Sequence, residues 1–290
     1  MSATQSKAGA FRNFKQSGES KAQKAANSPL METLTRIGYG ARGLIYLTMG
    51  LLAVQVALGK GGALASPQGA IAAIGKQPAG MVLLWVILVG IIAYALWGVV
   101  RAVFDPLQKG HDTKGLLARG GFLVSAFGYA LLVIPTLGYI MGTSQTANGS
   151  QTQKFIAAIM AMPWGRWAIG ILGLCVLAGG LVQVYLGFKS DFDRQFQTYD
   201  LNREEVKLAT DVGRFGTSAR GVVFALTGVL MMIAAYNANP SQPVGMDTAL
   251  TTLMHQPYGV WLLAVVAVGL IAFGFYSIMS GLWFRSRRNS

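Results

Sequence analysis

Six apolar stretches separated by polar connections dominate the pattern of this chain, at roughly 43–58, 81–101, 120–140, 167–188, 220–236 and 259–283. At 1.5 Å of rise per residue, about 20 residues cross a hydrocarbon core. The first and fifth runs are short, and each gains length from the Gly, Ala and aromatic positions before it. Helix is the only open choice for such runs, because unpaired backbone groups cannot face lipid. The pattern therefore predicts an all-α fold, a six-span transmembrane helix bundle.

The pattern also repeats. Arg36-Ile-Gly38-Tyr-Gly-Ala-Arg42-Gly43, with Tyr46 and Gly50, returns as Arg214-Phe-Gly216-Thr-Ser-Ala-Arg220-Gly221, with Phe224 and Gly228, at a constant offset. A worn second copy holds Arg119-Gly120-Gly121 and Gly128. Each alternate connection carries an apolar pair three apart, Ile71 and Ile74, Ile156 and Ile159, Leu250 and Leu253, then Pro-x-Gly ending at Gly80, Gly165 or Gly259. The pair predicts one face of a short helix lying on the interface, and Pro-x-Gly ends it and returns the chain to the membrane. Ser66 before Pro67, and Asp247 in the third copy, are expected helix starts, as are Asn202 and the Ser28-Pro29 pair. The expected organisation is three repeated helical hairpins: unit one over 29–108, a divergent unit two over 109–189, and unit three over 213–285. A basic, disordered tail over 1–28, an amphipathic connection over 190–212 and a basic tail over 286–290 complete the chain.

Charge orients the hairpins. If both termini are cytoplasmic, that side holds 20 of the 24 Lys and Arg residues, and the other side holds only Lys60, Lys76, Lys154 and Arg166. The positive-inside rule then expects N and C termini in the cytoplasm. The net charge of +13 reads as membrane-edge anchoring rather than nucleic-acid binding, since the spans leave no room for a domain that reads DNA. Only 12% of residues are charged and mean hydropathy is +0.46, which excludes a water-soluble fold. Two further features read as lipid contacts or plain connections: Phe11 and Phe14 in the tail, and the amphipathic run Phe192, Phe196 and Tyr199.

The Arg36-to-Tyr46 opening, the Pro-x-Gly turn and the return span with Trp97 resemble the domain-of-unknown-function family 1206, over about residues 30–285. The resemblance implies a bacterial integral membrane protein of three tandem two-helix units, with the bacterial cytoplasmic membrane as its location. It brings no catalytic or binding residues.

The residues available exclude much chemistry. No span carries Asp, Glu, His or Lys at its centre, which argues against a proton-coupled carrier. One cysteine, Cys175, rules out a disulfide or a cysteine metal cluster. His111 and His255 fall on opposite membrane sides, so they cannot hold a haem between them. No catalytic, cofactor or metal residue is expected, and no enzyme. Six residues remain as candidates. Arg36, Arg42, Arg214 and Arg220 stand at the inner boundary, where an arginine binds a lipid phosphate, caps helix carbonyls or snorkels. Gln55 and Gln183 are candidate pore-lining residues. The expected function is a structural or accessory membrane protein that binds anionic lipid headgroups or a membrane-protein partner through an inner basic rim. The alternative is a channel or facilitator for a small neutral solute.

Overall fold

The computed structural model describes residues 29–105, 110, 112–143, 150–189 and 203–282, and all regular structure among them is helical. The helices are α1 (Pro29–Ala57), α2 (Pro67–Gly75), α3 (Gly80–Phe104), α4 (Thr113–Ile140), α5 (Ser150–Met160), α6 (Gly165–Lys189), α7 (Arg203–Tyr236), α8 (Met246–Met254) and α9 (Gly259–Leu282). Six of them, α1, α3, α4, α6, α7 and α9, are long and apolar enough to cross a membrane. The polar openings do not form separate elements. They continue without a break into the apolar runs, so α1 has 29 residues and α7 has 34. Residues 203–212, expected in a connection, are the first turns of α7. Asn202, Ser28, His111, the tails and the Phe192 to Tyr199 run lie outside the described residues.

The three short helices share one construction. Ser66 caps α2, its hydroxyl accepting from the Gly69 amide at 3.3 Å, with Pro67 at the first helical position. Asp247 differs from its expected role. It lies inside the first turn of α8, which starts after Gly245, and burial pushes its carboxyl above the usual range. Ile71, Ile156 and Leu250 are buried, as the apolar pairing requires. The turn that follows is the same three times. The amides of Gly80, Gly165 and Gly259 donate to the carbonyls of Gln77, Met162 and Gln256 at 2.8, 2.9 and 2.8 Å. Each of these glycines presses on the carbonyl end of the preceding short helix, where a Cβ would collide with Ile74, Ile159 or Met254 backbone. Ala79 and Tyr258 just before two of them take left-handed φ values of 63° and 60°.

Lipid offers no hydrophobic drive between spans, so they associate by close backbone approach. The spans lie in the order α4, α3, α1, α9, α7, α6. Hairpins one and three close on themselves, Gly90 against Ala41 and Gly269 against Ala219. Between hairpins, Gly43 meets Gly274, while Gly221 meets Gly180 and Gly228 meets Gly173. Hairpin two is split. Its spans α4 and α6 sit at opposite ends of the order and have no substantial contact with each other. The reason is legible by counting from the turn glycine. Ten residues on, α3 and α9 carry Gly90 and Gly269, but α6 carries the exposed Cys175. Fifteen residues on, α6 and α9 carry Gly180 and Gly274, but α3 carries Ala95. Gly120, Gly121 and Gly128 of α4 accordingly face open space. Pro135 also interrupts the hydrogen-bond ladder of α4.

The inside of the bundle is filled by Ile45, Met49, Ile91, Val223, Leu270 and Phe273, each at most 2% exposed. The outside shows Val82, Val86, Val89, Leu174, Val265 and Val268 in contiguous apolar faces, as lipid requires. Trp85, Trp164, Trp167 and Trp261 stand exposed near the Pro-x-Gly turns, an interfacial belt, whereas Trp97 is buried among the helices. Gly259→Ala lowers stability by about 1–3 kcal/mol, because its Cβ must displace backbone. Gly128→Ala, facing open space, leaves the unfolding midpoint in detergent unchanged or raised. Equal losses for the two would contradict the packing described.

Candidate functional site

The ends of α3, α6 and α9 meet the beginnings of α4, α7 and α1 on one face. Gly281 lies against Arg36 and Tyr39, Gly187 against Arg214 and Ser218, and Arg119 donates to the carbonyls of Ala102 and Val103 at 2.7 and 3.0 Å. Just inside that face the chain collects three guanidiniums and a ring of aromatics.

Arg42 is buried, 8% exposed. Its Nε donates to Ser277 Oγ of α9 and its Nη1 to Tyr94 Oη of α3, both at 2.7 Å. Ser277 in turn donates to the Tyr39 carbonyl at 3.0 Å. The guanidinium also lies over the rings of Tyr39, Tyr94 and Phe273, at 4.8, 5.1 and 4.9 Å. Arg220 repeats the arrangement in hairpin three. Its Nη1 donates to Gln183 Oε1 of α6, and its Nε to Tyr46 Oη of α1, both at 2.8 Å. It lies over the rings of Tyr46, Phe224 and Phe273, at 5.3, 4.5 and 4.9 Å. Phe273 thus stands between two guanidiniums.

Ser277 and Gln183 occupy the same place, eighteen residues after the turn glycine of their hairpins. Arg42 therefore binds the return span of hairpin three and Arg220 that of hairpin two at an equivalent register. In α3 that register holds Gly98, which meets Phe122 and Ala126 of α4 instead. Arg119 of hairpin two stays outside, on the last carbonyls of α3.

The third inner cation comes from the other side of that interface. Arg101 near the end of α3 is 6% exposed, and its guanidinium lies over Phe122, Tyr94 and Trp97 at 4.5, 5.5 and 5.8 Å. Helical side chains lean toward the N-terminus of their helix. Arg42, on an outgoing helix, leans back toward the near face, and Arg101, on a return helix, leans inward, so both reach Tyr94. Arg42 stands fifteen residues before the end of α1, about 22 Å from that end. Arg36–Glu32, at 2.7 Å, is the salt bridge found among the described residues, so Arg42, Arg101 and Arg220 face no carboxylate there.

The six candidate residues divide. Arg42 and Arg220 join one cluster, with Gln183 as a ligand of Arg220. Arg36 is exposed on Glu32, and Arg214 is half-buried beside Gly187. Gln55 is exposed in the last turns of α1, toward the far face, on a different helix from Gln183. Sequence reasoning counted Arg101 as one of the basic residues of a connection. The signal that marks it is Tyr94, Trp97 and Arg101 spaced as one helix face. Replacing Gln183 with Leu strands Arg220 Nη1 and costs about 1.5–3 kcal/mol. Adding Arg220→Met recovers most of that loss, because the unpaired charge goes with it. Thermal unfolding of the single and double variants measures this; additive losses would contradict the pairing.

Comparison with known sequences agrees with the repeat. The profile described as Domain of Unknown Function (DUF1206) matches residues 37–105, 120–190 and 215–283, one match in each hairpin. "Uncharacterized protein YxxB" of Bacillus subtilis (strain 168) is 32% identical over 260 residues, covering 90% of this chain and 94% of that protein. No solved structure matches. With the three matched segments lying on the three structural hairpins, the chain belongs to the DUF1206 family.

Proposed function

We propose that this protein is a non-enzymatic accessory protein of the bacterial cytoplasmic membrane that rests a basic face on anionic lipid headgroups. The observation that carries the reading is the charge asymmetry: 20 of 24 basic residues belong to the side where α1 begins and α9 ends. By the positive-inside rule that side is the cytoplasm. Arg36, Lys189 and Lys207 are exposed there, and Lys189 also lies over the Tyr185 ring at 5.3 Å. A basic side chain near an anionic surface contributes about 1 kcal/mol.

Arg42 and Arg220 do a different task in this reading. With their donors on Ser277, Tyr94, Gln183 and Tyr46, they fasten hairpin to hairpin and leave the lipid contact to the exposed rim. A membrane-protein partner is a second occupant of the same rim.

The triple variant Arg36→Gln, Lys189→Gln, Lys207→Gln tests the reading. The ratio of phosphatidylglycerol to zwitterionic lipid that stays bound after mild extraction should fall several-fold relative to the unaltered protein. An unchanged ratio would count against the lipid rim.

A further inference from the structure

The geometry points to an anion-binding site inside the bundle, between α1, α3 and α4, in which Arg101, Arg42 and Tyr129 bind a phosphate-type oxyanion. The site is separate from the exposed rim and does not depend on it.

Two buried side chains there hold unused hydrogen-bonding capacity. Arg101 is 6% exposed, and its Nε and Nη2 find no hydrogen-bond partner among the described residues. Tyr129 of α4 is 7% exposed, and its Oη has none either. Tyr94 joins them: its ring lies 4.5 Å from that of Tyr129, Arg101 stands over it at 5.5 Å, and its hydroxyl accepts from Arg42. Two guanidiniums thus share one tyrosine, and a hydroxyl without a partner adjoins that tyrosine.

The charge balance calls for an anion. A guanidinium stays protonated at any physiological pH, so a buried one cannot escape its desolvation by losing a proton. Aromatic faces offset part of that cost. The hydrogen bonds of Arg42 and Arg220 offset more, but Arg101 has two buried donors still to satisfy. A guanidinium presents its N–H groups in a planar fork that matches two oxygens of a phosphate or carboxylate. A phosphate has oxygens to spare once the fork has taken two, and one of these can accept from a phenol such as Tyr129. Arg101 lies three residues from the end of α3, close to the near face. At the α3–α4 interface Gly98 stands at the register of Ser277 and Gln183, so the opening arginine of α4, Arg119, bonds the last carbonyls of α3 and leaves the inner part of this interface without a side-chain pair.

The oxyanion has two sources, free phosphate or the phosphate of a lipid headgroup. Full-length protein in a non-ionic detergent, titrated with inorganic phosphate and separately with phosphatidylglycerol, distinguishes them by the rise in unfolding midpoint. Neutral diacylglycerol is the control for the acyl chains. A response to inorganic phosphate assigns the free ion; a response to phosphatidylglycerol alone assigns the lipid. Arg101→Gln should weaken the responding probe about tenfold or more, from the loss of a charged hydrogen-bonding pair. Tyr129→Phe, which preserves the packing, should weaken it by several-fold and serves if Arg101→Gln does not fold. Arg36→Gln should leave it unchanged, which separates this site from the rim. If neither probe moves the midpoint of the unaltered protein, or if the response survives intact in Tyr129→Phe and Arg101→Gln, the site is wrong.

Discussion

A guanidinium inside a membrane keeps its charge, and the rest of this bundle is arranged around that fact. Arg42 is buried and Arg220 half-buried, and both are packed among rings. Each must find polar atoms, and each finds one on the return span of another hairpin, Arg42 on hairpin three and Arg220 on hairpin two. The hydrogen bonds to Ser277 and Gln183 therefore set both which helices are neighbours and how far one slides along the other. Glycines at matching heights then bring the backbones together, Gly43 to Gly274 and Gly221 to Gly180. Charge selects the register, and the missing side chains allow the contact that makes it stable.

The same logic explains the departure from threefold regularity. Hairpin two lacks the contacts that close the other two. Its return span carries Cys175 where the other two have glycine, and its own arginine, Arg119, remains at the surface on the carbonyls of α3. Lipid does not push α4 and α6 together, so they part, each attached to a different neighbour. The apolar groove beside α6 and α7, lined by Leu177, Val229, Met232, Ile233 and Tyr236, is lined by apolar side chains and one tyrosine, a shape suited to acyl chains rather than to chemistry.

Much of this was readable in the chain itself. Length and hydropathy give the six spans, and the paired isoleucines with Pro-x-Gly give the short helices and their turns. The three family matches fall on those same units. Other features were not readable, for physical reasons. Hydropathy does not mark where a helix begins when its first turns are polar, so by that measure residues 203–212 fall in the connection, whereas the helix start expected at Asn202 agrees with α7 opening at Arg203. Repeat units suggest closed hairpins, and only a count from each turn glycine shows that Cys175 and Ala95 break the pattern. Arg101 looked like a membrane-edge charge because depth along a helix says nothing of which way the side chain leans. Gln55 and Gln183 looked alike by composition, yet one faces outward near the far side and the other serves Arg220.

Disulfide trapping inside the membrane tests the central claim, that hairpins one and three close on themselves while hairpin two is open. In a chain with Cys175→Ser, the pair Ala41→Cys with Gly90→Cys, or Ala219→Cys with Gly269→Cys, should cross-link once the helices give enough to reach disulfide spacing, since the two backbones touch there. Retaining the native Cys175 and introducing cysteine in turn at Ala118, Ala126 and Gly128 should give no intrachain bond, since α4 and α6 stand apart. Efficient bonding of Cys175 to any of the three would contradict the account.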